Sequence, residues 1–178
     1  MQIIEKIISN FSNNNSLYIG EKLTMSEHMI QSAMLAEKSK CNDDLICSCL
    51  LHDYGHFLID DPDELVKNKL DGRHELTGDE SLKNVFNKKI LEPMRYPVIS
   101  KKSIARDKKY FETLSKASTV SMELQGGVLN DKDTESFKRK PYFKSSILLR
   151  KFDDAAKKTY VKMKTIHDYK KLLISKII

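Results

Sequence analysis

The sequence predicts an all-α protein folded as one domain over residues 1–178, and three observations carry that prediction. Apolar residues recur at helical spacing along most of the 178 residues. Helix start and stop signals separate those stretches. No run alternates polar and apolar residues as a half-buried strand does, so little or no sheet is expected. A chain of this length buries a core without help from disulfides or a structural metal.

Taken in order, Ile3, Ile4, Ile7, Ile8 and Phe11 mark one helical face, and Ser12-Asn13-Asn14-Asn15-Ser16 breaks it. Thr24-Met25-Ser26-Glu27 reads as a capping box, in which threonine and glutamate satisfy each other's free backbone donors, and it opens a helix from Met25 to about Ser39. Asn42 or Asp43 caps the next helix, which carries Leu45, Ile46, Cys49, Leu50 and Leu51 toward His52. Asp60-Asp61-Pro62 ends that region in a loop. Further helices are expected near 76–87, 88–96, 107–115, 118–124, 131–139, 142–158 and 165–176, with turns at Gly126-Gly127 and Pro141.

The bulk properties narrow the function classes. A hydrophobic fraction of 40% with 31% charged residues suits a soluble globular chain. No apolar run approaches the roughly 18–20 residues that cross a bilayer. The start of the sequence lacks the basic, apolar and small-residue segments of a signal peptide, which points to the cytoplasm. The net charge of +6 gathers at Lys101-Lys102, Lys108-Lys109, Lys138-Arg139-Lys140 and from Lys157 onward. With no RNA-stacking signature and no zinc-finger spacing, that charge reads as a solvated lysine-rich surface rather than a nucleic-acid interface. Cys41, Cys47 and Cys49 are an odd count with no disulfide framework, and read as small buried hydrophobes.

The chemistry concentrates in the histidines. His28 sits one turn into the first long helix. His52-Asp53 follows Leu50-Leu51 and precedes Tyr54-Gly55-His56, and His74 stands beside Glu75. Imidazole nitrogen and carboxylate oxygen suit iron, manganese or zinc, and antiparallel helices can aim them inward. An ionisable pair directly after two leucines is costly to bury alone, and a metal is the partner that offsets the cost. Asp53, with two oxygens, can bridge two ions while His52 binds one. His167, in a lysine-rich amphipathic tail, reads as an ordinary surface residue.

His28, Leu50-Leu51-His52-Asp53-Tyr54-Gly55-His56, His74 and Asp153 resemble the HD-domain metallohydrolase superfamily. Tyr18-Ile19-Gly20-Glu21, the run from Ser118 to Gly127 and the run from Leu149 to Lys157 narrow the resemblance to its organophosphonate-cleaving mixed-valent di-iron oxygenases, over about residues 18–158. The resemblance implies an HD-domain helical bundle. It implies that His28, His52, Asp53 and Asp153 hold one iron, with Asp53 bridging to a second iron bound by His74. It gives Tyr18 the role of capping the second iron before substrate arrives, which with the Asp53 bridge makes the two catalytic candidates, and gives Glu21 a contact to the substrate's amino group. His56, Lys101, Ser118 and Arg150 match positions that cradle the phosphonate, a dianion that needs cations and fixed donors. Lys101 and Arg150 also read as ordinary residues of a basic surface, although Arg150, three before Asp153, shares its helical face. Ser118 reads equally as a helix cap.

One position departs from the pattern. Pro97 stands where these oxygenases carry a further histidine, four residues before Lys101, and proline has no donor for a metal. The first metal position keeps its ligands and the second loses one. Three functions follow: an iron-dependent oxygenase cleaving the carbon–phosphorus bond of a small hydroxylated organophosphonate; an HD-type phosphohydrolase acting on a phosphate ester or nucleotide; and a non-catalytic member that binds a metal or a phosphorylated ligand. The expected partner is a small phosphorus-containing substrate, with neither nucleic acid nor membrane.

Overall fold

The computed structural model describes residues 2–18, 21–58, 74–114, 116–159 and 161–178, and leaves aside the side chains at 74–76, 117 and 121. Among these residues the chain is helical without strands. Isolated antiparallel bridges join Leu17 to Thr24 and Phe86 to Ile177.

Helix α1 spans Gln2–Asn13 and buries Ile4, Ile7, Ile8 and Phe11. A helix of this length is marginal alone in water. Its buried stripe, at about 1.5–3 kcal/mol per large apolar side chain, is what fixes it to the bundle. Helix α2, Met25–Lys38, starts at the Thr24–Glu27 capping box that the sequence predicts. Helix α3, Asp43–Leu51, is capped by Asn42, whose side chain accepts from the Leu45 amide. Every residue from Leu45 to Leu51 on α3 is buried, so this helix runs through the middle of the molecule and delivers His52 to the interior.

A 3₁₀ turn at Tyr54–Leu58 follows, and α4, His74–Leu82, packs on it. The approach is close: a Cβ at Gly78 would stand 3.1 Å from the Gly55 nitrogen, so glycine at position 78 lets the two backbones meet. The expected loop at Asp60-Asp61-Pro62 lies outside the described residues. Helices α5 (Lys88–Met94), α6 (Pro97–Ile104), α7 (Lys108–Phe111), α8 (Lys116–Leu124) and α9 (Asp131–Lys138) complete one side. Helix α10, Phe143–Ala155, packs on α2, α3, α5 and α6, and a 3₁₀ turn at Ile166–Tyr169 leads into α11, Lys170–Ser175.

The sequence reading missed α6. It ends one helix near residue 96 and expects the next only near 107, whereas proline is favoured at the first helical position, where its missing N–H costs nothing. Pro97 therefore begins a helix, and Lys101 lies on it. Several expected helices are shorter than their patterns: 76–87 ends at Leu82, 107–115 contracts to Lys108–Phe111, 142–158 ends at Ala155, and the first turn of 165–176 is 3₁₀. No helix among the described residues is long and apolar enough to cross a membrane. Cys47 and Cys49 are fully buried, as expected of small apolar residues, and burial pushes the Cys47 thiol up to about 12.

Candidate metal centre

Three elements meet at the centre of the bundle. His28 lies one turn inside α2, His52 at the carboxyl end of α3 with Asp53 next to it, and Asp153 in the last turn of α10. His28 is wholly buried, and His52 and Asp153 nearly so.

Backbone carbonyls set the orientation of both rings. His28 Nδ1 lies 2.9 Å from the Ala156 carbonyl oxygen and His52 Nδ1 2.9 Å from that of Cys49. A carbonyl can only accept, so each Nδ1 carries the hydrogen, and each neutral ring leaves Nε2 as a bare lone pair. Those two Nε2 atoms face each other at 3.2 Å. Around them stand the carboxylates. Asp153 Oδ1 is 3.1 Å from His28 Nε2 and 3.8 Å from His52 Nε2, and Asp53 Oδ2 is 3.8 Å and 3.4 Å from the same two atoms. Four electron-rich atoms in one small buried space repel unless a cation sits among them.

Two further observations fit a metal. Asp153 Oδ1 is buried and makes no hydrogen bond, because the nearest imidazole nitrogen has its proton on the far side of the ring. In addition, His28, His52 and Asp153 each offer a donor atom within 4.8 Å of the others. Nitrogen and carboxylate oxygen, with both rings held by the backbone carbonyls of Ala156 and Cys49, form a donor set for a first-row divalent ion.

Without an ion the charges adjust. Burial alone pushes the His52 imidazole down, but Asp53 and Asp153 outweigh it and bring it up to about 9. Burial would raise the Asp153 carboxyl, yet Arg150 and the two histidines hold it well below the usual carboxylate range. A proton on His52 thus takes the position that a metal would otherwise fill.

Arg150 is tied to this centre from behind. Its guanidinium pairs with Asp153 Oδ2 at 2.9 Å and forks onto Asp154, while Tyr110 donates its hydroxyl hydrogen to Asp154. Tyr18 stacks on the His28 ring with centroids 3.9 Å apart and planes at 17°. Burial first, then Asp153 and Asp53, raises the Tyr18 phenol above its ordinary range and keeps it protonated. A cavity of about 540 Å³ opens beside the centre, lined by Glu21, Tyr110, Ser118, Lys151, Asp154 and Lys157 among others.

The structure brings together His28, His52, Asp53 and Asp153 as the sequence anticipates, with Tyr18 over them and Glu21 and Ser118 at the adjoining cavity. Ser118 lies inside the first turn of α8 rather than capping it. Lys101 is buried on α6, a helix that packs on α10, and His56 is half-buried on the 3₁₀ turn after Asp53. His74 begins α4, and its side chain lies outside the described residues. Pro97 is the first residue of α6. Its neighbour Tyr96 donates to Glu92 at 3.0 Å and packs on Phe137, so neither presents a donor to the centre. Sequence reasoning missed Tyr110, Asp154 and the carbonyls of Cys49 and Ala156. Only Asp154 left a signal, as the second aspartate of the Asp153-Asp154 pair.

Fold and site together define an all-α bundle with a candidate metal centre at its middle. No protein-family model matches the chain. It is 36% identical over 156 residues to a hydroxymethylphosphonate dioxygenase of Gimesia maris, covering 85% of this chain and 77% of that one. It is 37% identical over 142 residues to a [1-hydroxy-2-(trimethylamino)ethyl]phosphonate dioxygenase (glycine-betaine-forming) of Leisingera caerulea, covering 79% and 72%. An uncharacterized protein of Acanthamoeba polyphaga mimivirus is 31% identical over 160 residues, covering 88% and 73%. The chain belongs to the family of these phosphonate dioxygenases.

Proposed function

We propose that this protein is an iron-dependent oxygenase of the HD-domain type that cleaves the carbon–phosphorus bond of a small hydroxylated organophosphonate. The observation that carries this reading is the convergence of two bare imidazole nitrogens and two carboxylates in a buried space, beside a cavity with cationic and acidic walls. The phosphonate substrates in the names of two relatives support the substrate class.

His28, His52, Asp53 and Asp153 would hold one iron, and Asp53 with His74 would serve a second. Bound iron would supply the capacity to activate dioxygen and accept electrons, chemistry that protein side chains lack. The chain supplies position and charge. Arg150 steadies Asp153 through one arm and Asp154 through the other, which fixes the ligand and keeps a guanidinium at the edge of the site. Lys101, His56 and Ser118 offer the remaining donors for the phosphonate oxygens. Tyr18, protonated and stacked on His28, covers the centre and excludes water. Glu21 stands at the cavity, ready for a cationic substituent.

The direct test is phosphate release from hydroxymethylphosphonate by protein purified without oxygen and supplied with ferrous iron. Release that begins only when dioxygen is admitted is the expected outcome. Release from a phosphate monoester in the absence of oxygen would replace the oxygenase with a phosphohydrolase.

Pro97 bears on the number of ions. With proline at the head of α6, the second position lacks a donor, and affinity falls with ligand count and geometry. The wild-type chain is expected to retain about one tightly held iron, and Pro97→His about two. Iron content after gel filtration checks this, and an unchanged content in the variant would remove position 97 from the metal centre.

A further inference from the structure

Helix α7 is a single turn, Lys108–Phe111, and none of its residues is buried. A turn of this length does not hold itself together in water. The backbone hydrogen bonds around it stay local, from the Phe111 amide to the Asp107 carbonyl and from the Leu114 amide to the Phe111 carbonyl. Segments with few buried apolar contacts are those that open at low free energy. Yet this segment, with Ile104 before it, forms part of the wall of the cavity of about 540 Å³ beside the metal ligands, through Asp107, Tyr110, Thr113 and Leu114. Asp154 and Ala155 of α10 supply another part of that wall.

Tyr110 joins the two parts. Its hydroxyl donates to Asp154 Oδ2, and the same oxygen accepts from Arg150 Nε at 3.1 Å. Asp154 Oδ1 accepts a second Arg150 N–H, from Nη2, and Arg150 Nη1 pairs with Asp153 Oδ2 at 2.9 Å. A continuous path therefore runs from α7 through Asp154 and the guanidinium to a ligand of the metal centre. The Arg150 and Asp154 side chains are 12% and 20% exposed, and at such depth hydrogen bonds to charged groups are strong and directional. The Asp154 fork fixes the plane of the guanidinium, and the Tyr110 hydroxyl fixes the carboxylate that makes the fork. Burial first, then Asp154, holds the Tyr110 phenol above its ordinary range, so it stays a donor.

We propose that residues 107–114 are a lid on the cavity and that Tyr110 is its latch, a positioning residue that acts on Arg150 through Asp154. A ligand enters when the hydroxyl leaves Asp154, and its return closes the wall and resets the carboxylate that aims the guanidinium. The latch rests on the geometry of these three residues; its effect on a substrate rests on the phosphonate oxygenase reading.

The test variant is Tyr110→Phe in the full-length chain, which keeps the ring and removes the hydroxyl. Amide hydrogen exchange over residues 108–114 is expected to quicken about tenfold, the weight of one hydrogen bond to a charged group, while exchange in α2 and α3 stays as in the wild type. With iron supplied, KM for hydroxymethylphosphonate should rise about tenfold with kcat within about twofold and iron content unchanged. Asp154→Ala should change both readouts at least as much. Tyr110→Phe added to Asp154→Ala should then change neither further, because the path runs through that carboxylate. Unchanged exchange in Tyr110→Phe would overturn the proposal, as would additive effects in the double variant. A fall in kcat together with loss of iron would reduce Tyr110 to a structural role and overturn it too. A wild type without oxygen-dependent turnover would sink the oxygenase reading alone, since exchange is measured without substrate and still decides the latch.

Discussion

His52→Ala is expected to lose the metal at this centre and, with it, all turnover. His52 is one of four groups whose donor atoms crowd a single buried space, and its Nε2 lies within 3.8 Å of a donor atom on each of the other three. Binding free energies of protein-held transition ions run to about 10–16 kcal/mol, so one ligand of four accounts for roughly 3–4 kcal/mol, or about 100- to 1,000-fold in affinity. Metal content after dialysis against a weak chelator measures this directly.

The metal-free variant carries a second signature. Removing His52 takes away one of two facing nitrogens and also the proton held between carboxylates, so below about pH 9 the metal-free fold loses what that proton contributes, and a cavity opens. Asp153→Asn behaves differently. It also removes a ligand, but it strips Arg150 of one of its two carboxylate partners, and breaking one partner of a buried pair costs about 3–5 kcal/mol. Both variants should lose the ion, and above about pH 9, where the His52 proton contributes nothing, Asp153→Asn should leave the less stable metal-free fold. Thermal melting in the presence of a strong chelator separates them. Retention of full metal affinity by His52→Ala would remove this histidine from the centre.

Much of this was legible in the sequence because it is local. The Thr24–Glu27 box and the Asn42 cap are contacts between residues three apart, and each fixes the start of a helix that carries a ligand. His52-Asp53 stood out because polar groups directly after a buried apolar run need a partner. The rest is non-local. Whether His28, His52 and Asp153 meet depends on how α2, α3 and α10 pack, and it was family resemblance, rather than spacing, that joined them in advance. The carbonyls of Cys49 and Ala156 decide which nitrogen of each ring is bare, yet backbone atoms leave no mark in a sequence. Tyr110 meets Asp154 across 44 residues. Helix α6 was missed for a local reason: a proline that ends one helix and a proline that begins another look alike until the neighbouring backbone is known.

Metal-free and metal-bound protein are expected to respond to pH in opposite directions between about 6.5 and 9. Without an ion, Asp53 and Asp153 bring the buried His52 imidazole up to about 9, from an ordinary value of 6.5. The folded state therefore holds a proton that the unfolded chain gives up. That contribution is complete below pH 6.5, shrinks as pH rises, and is gone above about 9. At about 1.4 kcal/mol for each pH unit crossed, on the order of 3 kcal/mol disappears, which for a chain of this size lowers the melting temperature by about 10 °C. A divalent ion competes with that proton for the same lone pair. Its affinity should accordingly rise about tenfold per pH unit until the site is deprotonated, and the stability it confers should rise with it. Melting curves from pH 6.5 to 9, with chelator and with excess of a redox-inert ion such as Zn²⁺, read both slopes in one experiment. A flat metal-free curve would mean that His52 is neutral in the empty site, and that something other than a proton relieves the 3.2 Å approach of the two imidazole nitrogens.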